Sequence, residues 1–158
     1  MTTINLREPD EADWEALLAL ANASLAGVPN VPPQNEWARN RKSFPTNGIR
    51  RHVVAERERA IVGYAAAEHR ANAPADGFRL FVVTRPEDRR ALSYTLIQWL
   101  EAQLDEIGAA TAWFIEYAAD TAFRSYLESK GYPETRRIVL PDGNEAVIMS
   151  RAAPFARA

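Results

Sequence analysis

Apolar and polar positions alternate over Thr3 to Arg7, with Ile4 and Leu6 on one side, the two-residue period of a strand with one buried face. Pro9 and Asp10 end it, and Asp10 is placed to cap the turn that follows. Trp14, Leu17, Leu18, Ala21 and Leu25 then recur at helical spacing until Gly27 and Pro29 stop the helix. A Pro-rich loop from Val28 to Pro33 leads to a second short helix over Glu36 to Phe44, and Pro45 to Gly48 make a turn. Arg51 to Glu56 and Ala60 to Ala67 read as two strands of a hairpin joined through Arg57-Glu58-Arg59. After a turn over Asn72 to Gly77, Phe78 to Val83 is rich in strand formers and continues the meander.

The period then changes. Leu92, Leu96, Trp99, Leu100, Leu104 and Ile107 trace the longest amphipathic helix, closed by Gly108. The apolar run of Ala112 to Tyr117 predicts a central strand covered on both faces. Asp120 is expected to cap a helix that buries Phe123, Tyr126 and Leu127 and ends at Gly131, Tyr132 and Pro133. Arg136 to Leu140 and Ala146 to Met149 form two last strands around Pro141-Asp142-Gly143-Asn144. The order β-α-α-β-β-β-α-β-α-β-β predicts a mixed α/β fold: one mixed sheet with helices on both faces, in which Phe78 to Val83 and Ala112 to Tyr117 are parallel neighbours across the long helix.

The chain has 158 residues, a length suited to one domain. It has no Cys and two His, which excludes a disulfide scaffold and Cys-based zinc, and no metal is expected. The net charge of −2 lacks the positive surplus of a nucleic-acid binder. No apolar run reaches the roughly 20 residues of a membrane span, and the N-terminus lacks the pattern of a signal peptide, so a cytoplasmic protein is expected.

Three stretches carry a family resemblance. They are Val53-Val54-Ala55-Glu56 with Ile61-Val62-Gly63-Tyr64, then Phe81 to Arg89 leading into the long helix, and then Phe123 to Tyr132. In this order and spacing they resemble the GNAT superfamily of acyl-CoA-dependent N-acyltransferases, over nearly the whole chain. The resemblance implies acetyl transfer from acetyl-CoA to a primary amine on a small molecule or peptide, by direct attack and without a covalent enzyme intermediate. It implies a bulged strand at Val82, Val83 and Thr84 whose backbone pairs with the pantetheine arm, and an oxyanion-stabilising N–H near Val83. It further implies a loop over Arg89, Arg90, Ala91, Leu92, Ser93, Tyr94 and Thr95 that cradles the pyrophosphate.

The chain departs from the family pattern at four positions. Leu92 and Tyr94 stand where glycines are expected, so Tyr94, off the apolar stripe, is the expected obstruction. Leu127 replaces the Tyr that protonates the departing thiolate; Tyr126 is adjacent, about 100° away around the helix. Asp120, counted with the cofactor-binding positions, replaces a common Asn. Thr84 to Glu87 also fits a capping box, and a helix beginning there would shorten the loop. The alternative to an enzyme is a non-catalytic module of the same fold that binds an acyl-CoA, another ligand or a protein.

Among residues able to do chemistry, Tyr126 and Glu116 are the catalytic candidates, as proton donor and base. Glu68 and His69 also lie near a strand end; surface charge is the plainer reading of Glu68, His69 and Glu116 alike. His52, beside Arg50 and Arg51, is expected to face solvent, and Trp37 to border an acceptor pocket or join the core. The final strands could pair between subunits in a homodimer.

Overall fold

A computed structural model describes residues 3–70 and 77–156, so most of the turn expected over Asn72 to Gly77 lies outside the described residues. Strand β1 (Asn5–Arg7) leads through a short 3-10 turn (Glu11–Asp13) into α1 (Trp14–Ser24), and α2 (Asn35–Lys42) follows. The Asp10 carboxylate accepts from the Ala12 N–H at 2.9 Å, and Asp13 accepts from the Asp10 N–H at 2.7 Å. This reciprocal arrangement satisfies amides that a helix start leaves orphaned.

Strands β2 (Ile49–Arg57) and β3 (Ala60–His69) form a hairpin. Its two turn residues, Glu58 and Arg59, have φ of 52° and 67°, the backbone twist that two-residue hairpins favour. Strand β4 (Gly77–Thr84), a 3-10 turn (Pro86–Asp88) and α3 (Arg89–Ile107) come next. Strand β5 (Thr111–Tyr117), α4 (Thr121–Ser129), β6 (Glu134–Val139) and β7 (Glu145–Ala152) complete the fold. The end of α4 follows its sequence signal: Gly131 has φ 91°, and the Tyr132 N–H returns to the Leu127 carbonyl at 3.0 Å.

The strands lie in the order β1-β2-β3-β4-β5-β7-β6. Every neighbouring pair is antiparallel except β4 and β5, which run parallel as expected. On one face, Leu17 and Leu20 of α1 pack with Val54, Tyr64, Ala66 and Phe81, and Trp14 and Trp37 lean on them. On the other face, Leu92, Leu96, Leu100 and Leu104 of α3, with Phe123 and Leu127 of α4, cover Val62, Ala65, Phe78, Leu80 and Phe114. Gly63 lets α3 approach closely, because a Cβ there would lie 2.8 Å from Leu92 Cδ2. No described helix is long and apolar enough to cross a membrane.

Candidate active site

The central feature is a parting of two parallel strands. β4 and β5 pair from Gly77 with Thr111 to Leu80 with Phe114, and there the pairing stops. Beyond it, Phe81 to Thr84 and Ile115 to Tyr117 diverge, each still held by its other neighbour, β3 or β7. The expected bulge in β4 is absent: its register with β3 runs unbroken from Thr84 opposite Gly63 to Arg79 opposite Glu68. Divergence of the strands frees the backbone edge instead.

The phase of the ladder decides which backbone groups that edge offers. The Arg85 N–H donates to the Val62 carbonyl at 3.1 Å. Bonded and non-bonded pairs alternate in antiparallel strands, so Val83 turns its N–H toward Tyr64 of β3. Val82 and Thr84 turn theirs toward the gap. The N–H groups that face the gap are therefore those of Val82 and Thr84, and not that of Val83.

A cavity of about 140 Å³ opens where the strands part, between them and helices α1 and α2. Trp37 borders it, half-buried, edge-on to Tyr64 at 5.5 Å and to Phe81 at 6.5 Å. Glu116 also borders it. It is no surface charge: burial, then the nearby Asp120 carboxylate, push its pKa up to about 8 against the pull of Arg89 and Arg79. That value suits a group that must take a proton from an ammonium near neutral pH.

A second cavity of about 410 Å³ lies between the start of α3 and α4, bordered by Arg89, Arg90, Ser125, Tyr126 and Ser129. Arg89 and Phe123 border both cavities and stand between them. The Arg89 guanidinium lies 4.7 Å above the Phe123 ring and forms an ion pair with the buried Asp120 carboxylate. Asp120 is thus placed at the head of α4 but does not cap it with its side chain; Arg89 draws the carboxylate away. Arg90 is exposed at the mouth of the second cavity.

The expected phosphate loop is not a loop. Helical backbone begins at Pro86, so Arg89 to Thr95 are the first two turns of α3. Pro86 is pre-set for that first position. The Asp88 N–H donates to the Arg85 carbonyl at 3.0 Å and the Arg89 N–H to that of Pro86, which leaves little of an amide cradle. Asp88 is held by both nitrogens of Arg57, at 2.9 and 2.8 Å. The capping box read over Thr84 to Glu87 gives the right start but the wrong mechanism, because Thr84 is buried and its hydroxyl makes no hydrogen bond.

Within α3, Ala91 and Thr95 face solvent and Leu92 and Ser93 are buried, Leu92 in the core as its stripe predicts. Tyr94, the expected obstruction, borders neither of these two cavities: 43% exposed, it accepts a bond from Gln98 at 2.9 Å and lies 4.6 Å beneath the Lys130 ammonium. Tyr126 stacks on Phe123 at 6.1 Å and borders the second cavity, whereas Leu127 is wholly core.

Three further readings are corrected by contacts within the fold. Glu68 is buried in an ion pair with Arg41 at 2.6 Å, well away from surface charge. The His69 imidazole meets the Gly77 carbonyl at 2.8 Å and packs on Phe78. His52 is only half-exposed; it meets the Tyr64 hydroxyl at 3.0 Å, and burial with the nearby Arg50 lowers its pKa to about 4. One residue escaped the sequence reading altogether. Arg79 borders the smaller cavity, and its signal was a lone charge inside the apolar run Phe78 to Val83. Among the described residues, no group of three or more His, Asp or Glu is placed to hold a metal ion.

No family profile and no curated protein sequence matches the chain. Solved structures do. The ribosomal-protein-S18-alanine N-acetyltransferase of Escherichia coli superposes with a TM-score of 0.71 at 19% identity, over 99% of this chain and 96% of that one. The ribosomal-protein-alanine N-acetyltransferase of Brucella melitensis gives 0.69 at 23% identity, over 94% and 99%. The PaiA N-acetyltransferase of Thermoplasma acidophilum, solved in complex with coenzyme A, gives 0.67 at 15%, over 96% and 99%. With its parted β4 and β5 and its strand order, the chain has the fold of the GNAT N-acetyltransferases.

Proposed function

We propose that the protein is an N-acyltransferase that moves an acetyl group from acetyl-CoA to a primary amine. The observation that carries this reading is the free edge of β4 beyond Leu80, set beside a cavity that holds a carboxyl group with a pKa near 8. An amide-rich arm can pair along that edge through Val82 and Thr84 as an added strand does. Arg90, exposed at the second cavity, would attract the phosphates in place of an amide loop.

In the reaction, Glu116 takes the proton from the acceptor's ammonium. The freed lone pair attacks the thioester carbonyl, and a backbone N–H of the open edge holds the charge that develops on its oxygen. The attacking nitrogen gives up its second proton to water, and the thiolate leaves and takes a proton from water or from Tyr126, which borders the second cavity. Leu127 cannot supply that proton. A thiol with a pKa near cysteine's roughly 8.5 does not depend on a dedicated acid.

One observation favours the non-catalytic alternative. Arg89, paired with Asp120, stands between the two cavities, so a ligand threading both must displace it. Titration of acetyl-CoA by calorimetry, followed by an assay for thiol release with a panel of amines, separates the readings. Binding with thiol release supports the transferase. Binding without release supports the module, and no binding at millimolar acetyl-CoA overturns both as readers of that ligand. We place the protein in the cytoplasm and infer a homodimer through the exposed edge of β6, where Val139 is 70% exposed; gel filtration with light scattering tests the dimer.

A further inference from the structure

Arg79 makes no ion pair among the described residues. On β4 it lies directly opposite Glu68 of β3, the natural cross-strand partner. That carboxylate is already engaged, by Arg41 at 2.6 Å and by Arg70 at 3.7 Å. Three guanidinium groups therefore gather about one carboxylate. Arg41 and Arg79 share the Phe81 ring, with their guanidinium carbons 4.0 and 4.6 Å from its centroid. Among the described residues no carboxylate comes within 4.0 Å of Arg79, and its buried Nε makes no hydrogen bond. Burial lowers its pKa to about 10, but the group remains a cation at neutral pH.

This cation, without a direct ion pair among the described residues, borders the smaller cavity, and so does Glu116. Arg79 extends from the sheet face covered by α1 and α2, because it alternates in phase with Phe81, which packs there. Glu116 alternates with Phe114 and so belongs to the opposite face. The two polar groups reach the cavity from its two sides. Its volume of about 140 Å³ is small; an apolar cavity of about 150 Å³ holds a benzene. Leaving a half-buried guanidinium without a direct partner is costly, and an arriving anion relieves that cost.

We propose that the acceptor is a small amine that also carries a carboxylate, a free amino acid being the simplest case, with its carboxylate on Arg79 and its amine directed to Glu116 and the open edge of β4. The planar guanidinium matches a carboxylate through two parallel bonds, which an amide cannot reproduce. The proposal rests on the transferase reading for its chemistry, but the carboxylate site itself does not require the donor.

The test compares glycine, alanine, methionine and glutamate with their α-carboxamides, as ligands in calorimetry without donor and as acceptors with acetyl-CoA. At least one amino acid is expected to bind and react about 10- to 100-fold better than its carboxamide, the factor a charge-assisted bond commands. Arg79→Met, which keeps the bulk, is expected to abolish the difference, and Arg79→Lys to restore part of it. Equal handling of acid and amide by the unaltered protein overturns the proposal, whether or not Arg79→Met folds. So does a preference that survives in Arg79→Met, and so does failure of every amino acid to bind. If acetyl-CoA fails to bind while an amino acid binds in preference to its amide, the transferase reading falls and the carboxylate site stands.

Discussion

Arg89 and Asp120 lock the first turn of α3 to the head of α4, with the arginine lying over the Phe123 ring. The pair places a cation at the junction of the two cavities and neutralises it there. Asp120→Asn is expected to free Arg89 for anions, so that acetyl-CoA binds more tightly and with a steeper dependence on salt. Removing one partner of a buried pair costs about 3–5 kcal/mol, less here because Arg89 reaches water. Calorimetry across salt concentrations and urea unfolding check the two effects; weaker binding in a folded variant shows that the pair builds the site.

Glu116 yields a prediction in pH. The unfolded chain loses this proton near the ordinary carboxylate value of 4.5, and the folded protein holds it until about 8. Between those limits the folded state binds the extra proton, so stability falls as pH rises through the window. Glu116→Gln removes that loss, and its melting temperature is expected to exceed the wild type's at pH 9 but not at pH 4. The same titration gives a turnover limb that rises toward pH 8 in the wild type and disappears in Glu116→Gln. Parallel melting curves at both pH values would show that the carboxyl is not held protonated.

Gly63 and Leu92 form a packing pair across the sheet and α3. Gly63→Ala puts a Cβ 2.8 Å from Leu92 Cδ2 and 3.2 Å from Leu96 Cδ1. Overpacking of this kind costs about 1–3 kcal/mol. Leu92→Val is expected to recover part of that loss, which a double-mutant cycle in urea measures.

Tyr94 predicts little effect on ligands. Because its ring lies outside the second cavity, Tyr94→Gly is expected to leave acetyl-CoA affinity unchanged and to cost about 1 kcal/mol of helix stability. Arg90→Ala, by contrast, is expected to weaken acetyl-CoA most at low salt. A large affinity change in Tyr94→Gly places that ring against the ligand.

The fold was legible because its signals are periodic. Leu92 to Ile107 at helical spacing and the apolar Ala112 to Tyr117 required a crossover and hence parallel strands. The site was half legible. Glu116 could be named as a candidate, but its raised pKa depends on burial and on the charges of Asp120, Arg89 and Arg79 arriving from other elements. Asp120 was read as a cap because a cap is a local property; a partner 31 positions away overrode it. The loop over Arg89 to Thr95 was misread because Pro86 and the Arg57–Asp88 clasp start the helix early. Arg79 went unnoticed because a missing ion pair is visible only in three dimensions.

The parting of β4 from β5 divides the sheet into two blades that meet along the pairs from Gly77 with Thr111 to Leu80 with Phe114. Such a seam is a mechanical weak line. Amide exchange should separate β2 to β4 from β5 to β7 as two cooperative blocks, with the faster opening along the seam. Whatever lodges between the blades and bonds to both acts as a stitch. Its affinity would register as slower exchange on strands it never touches.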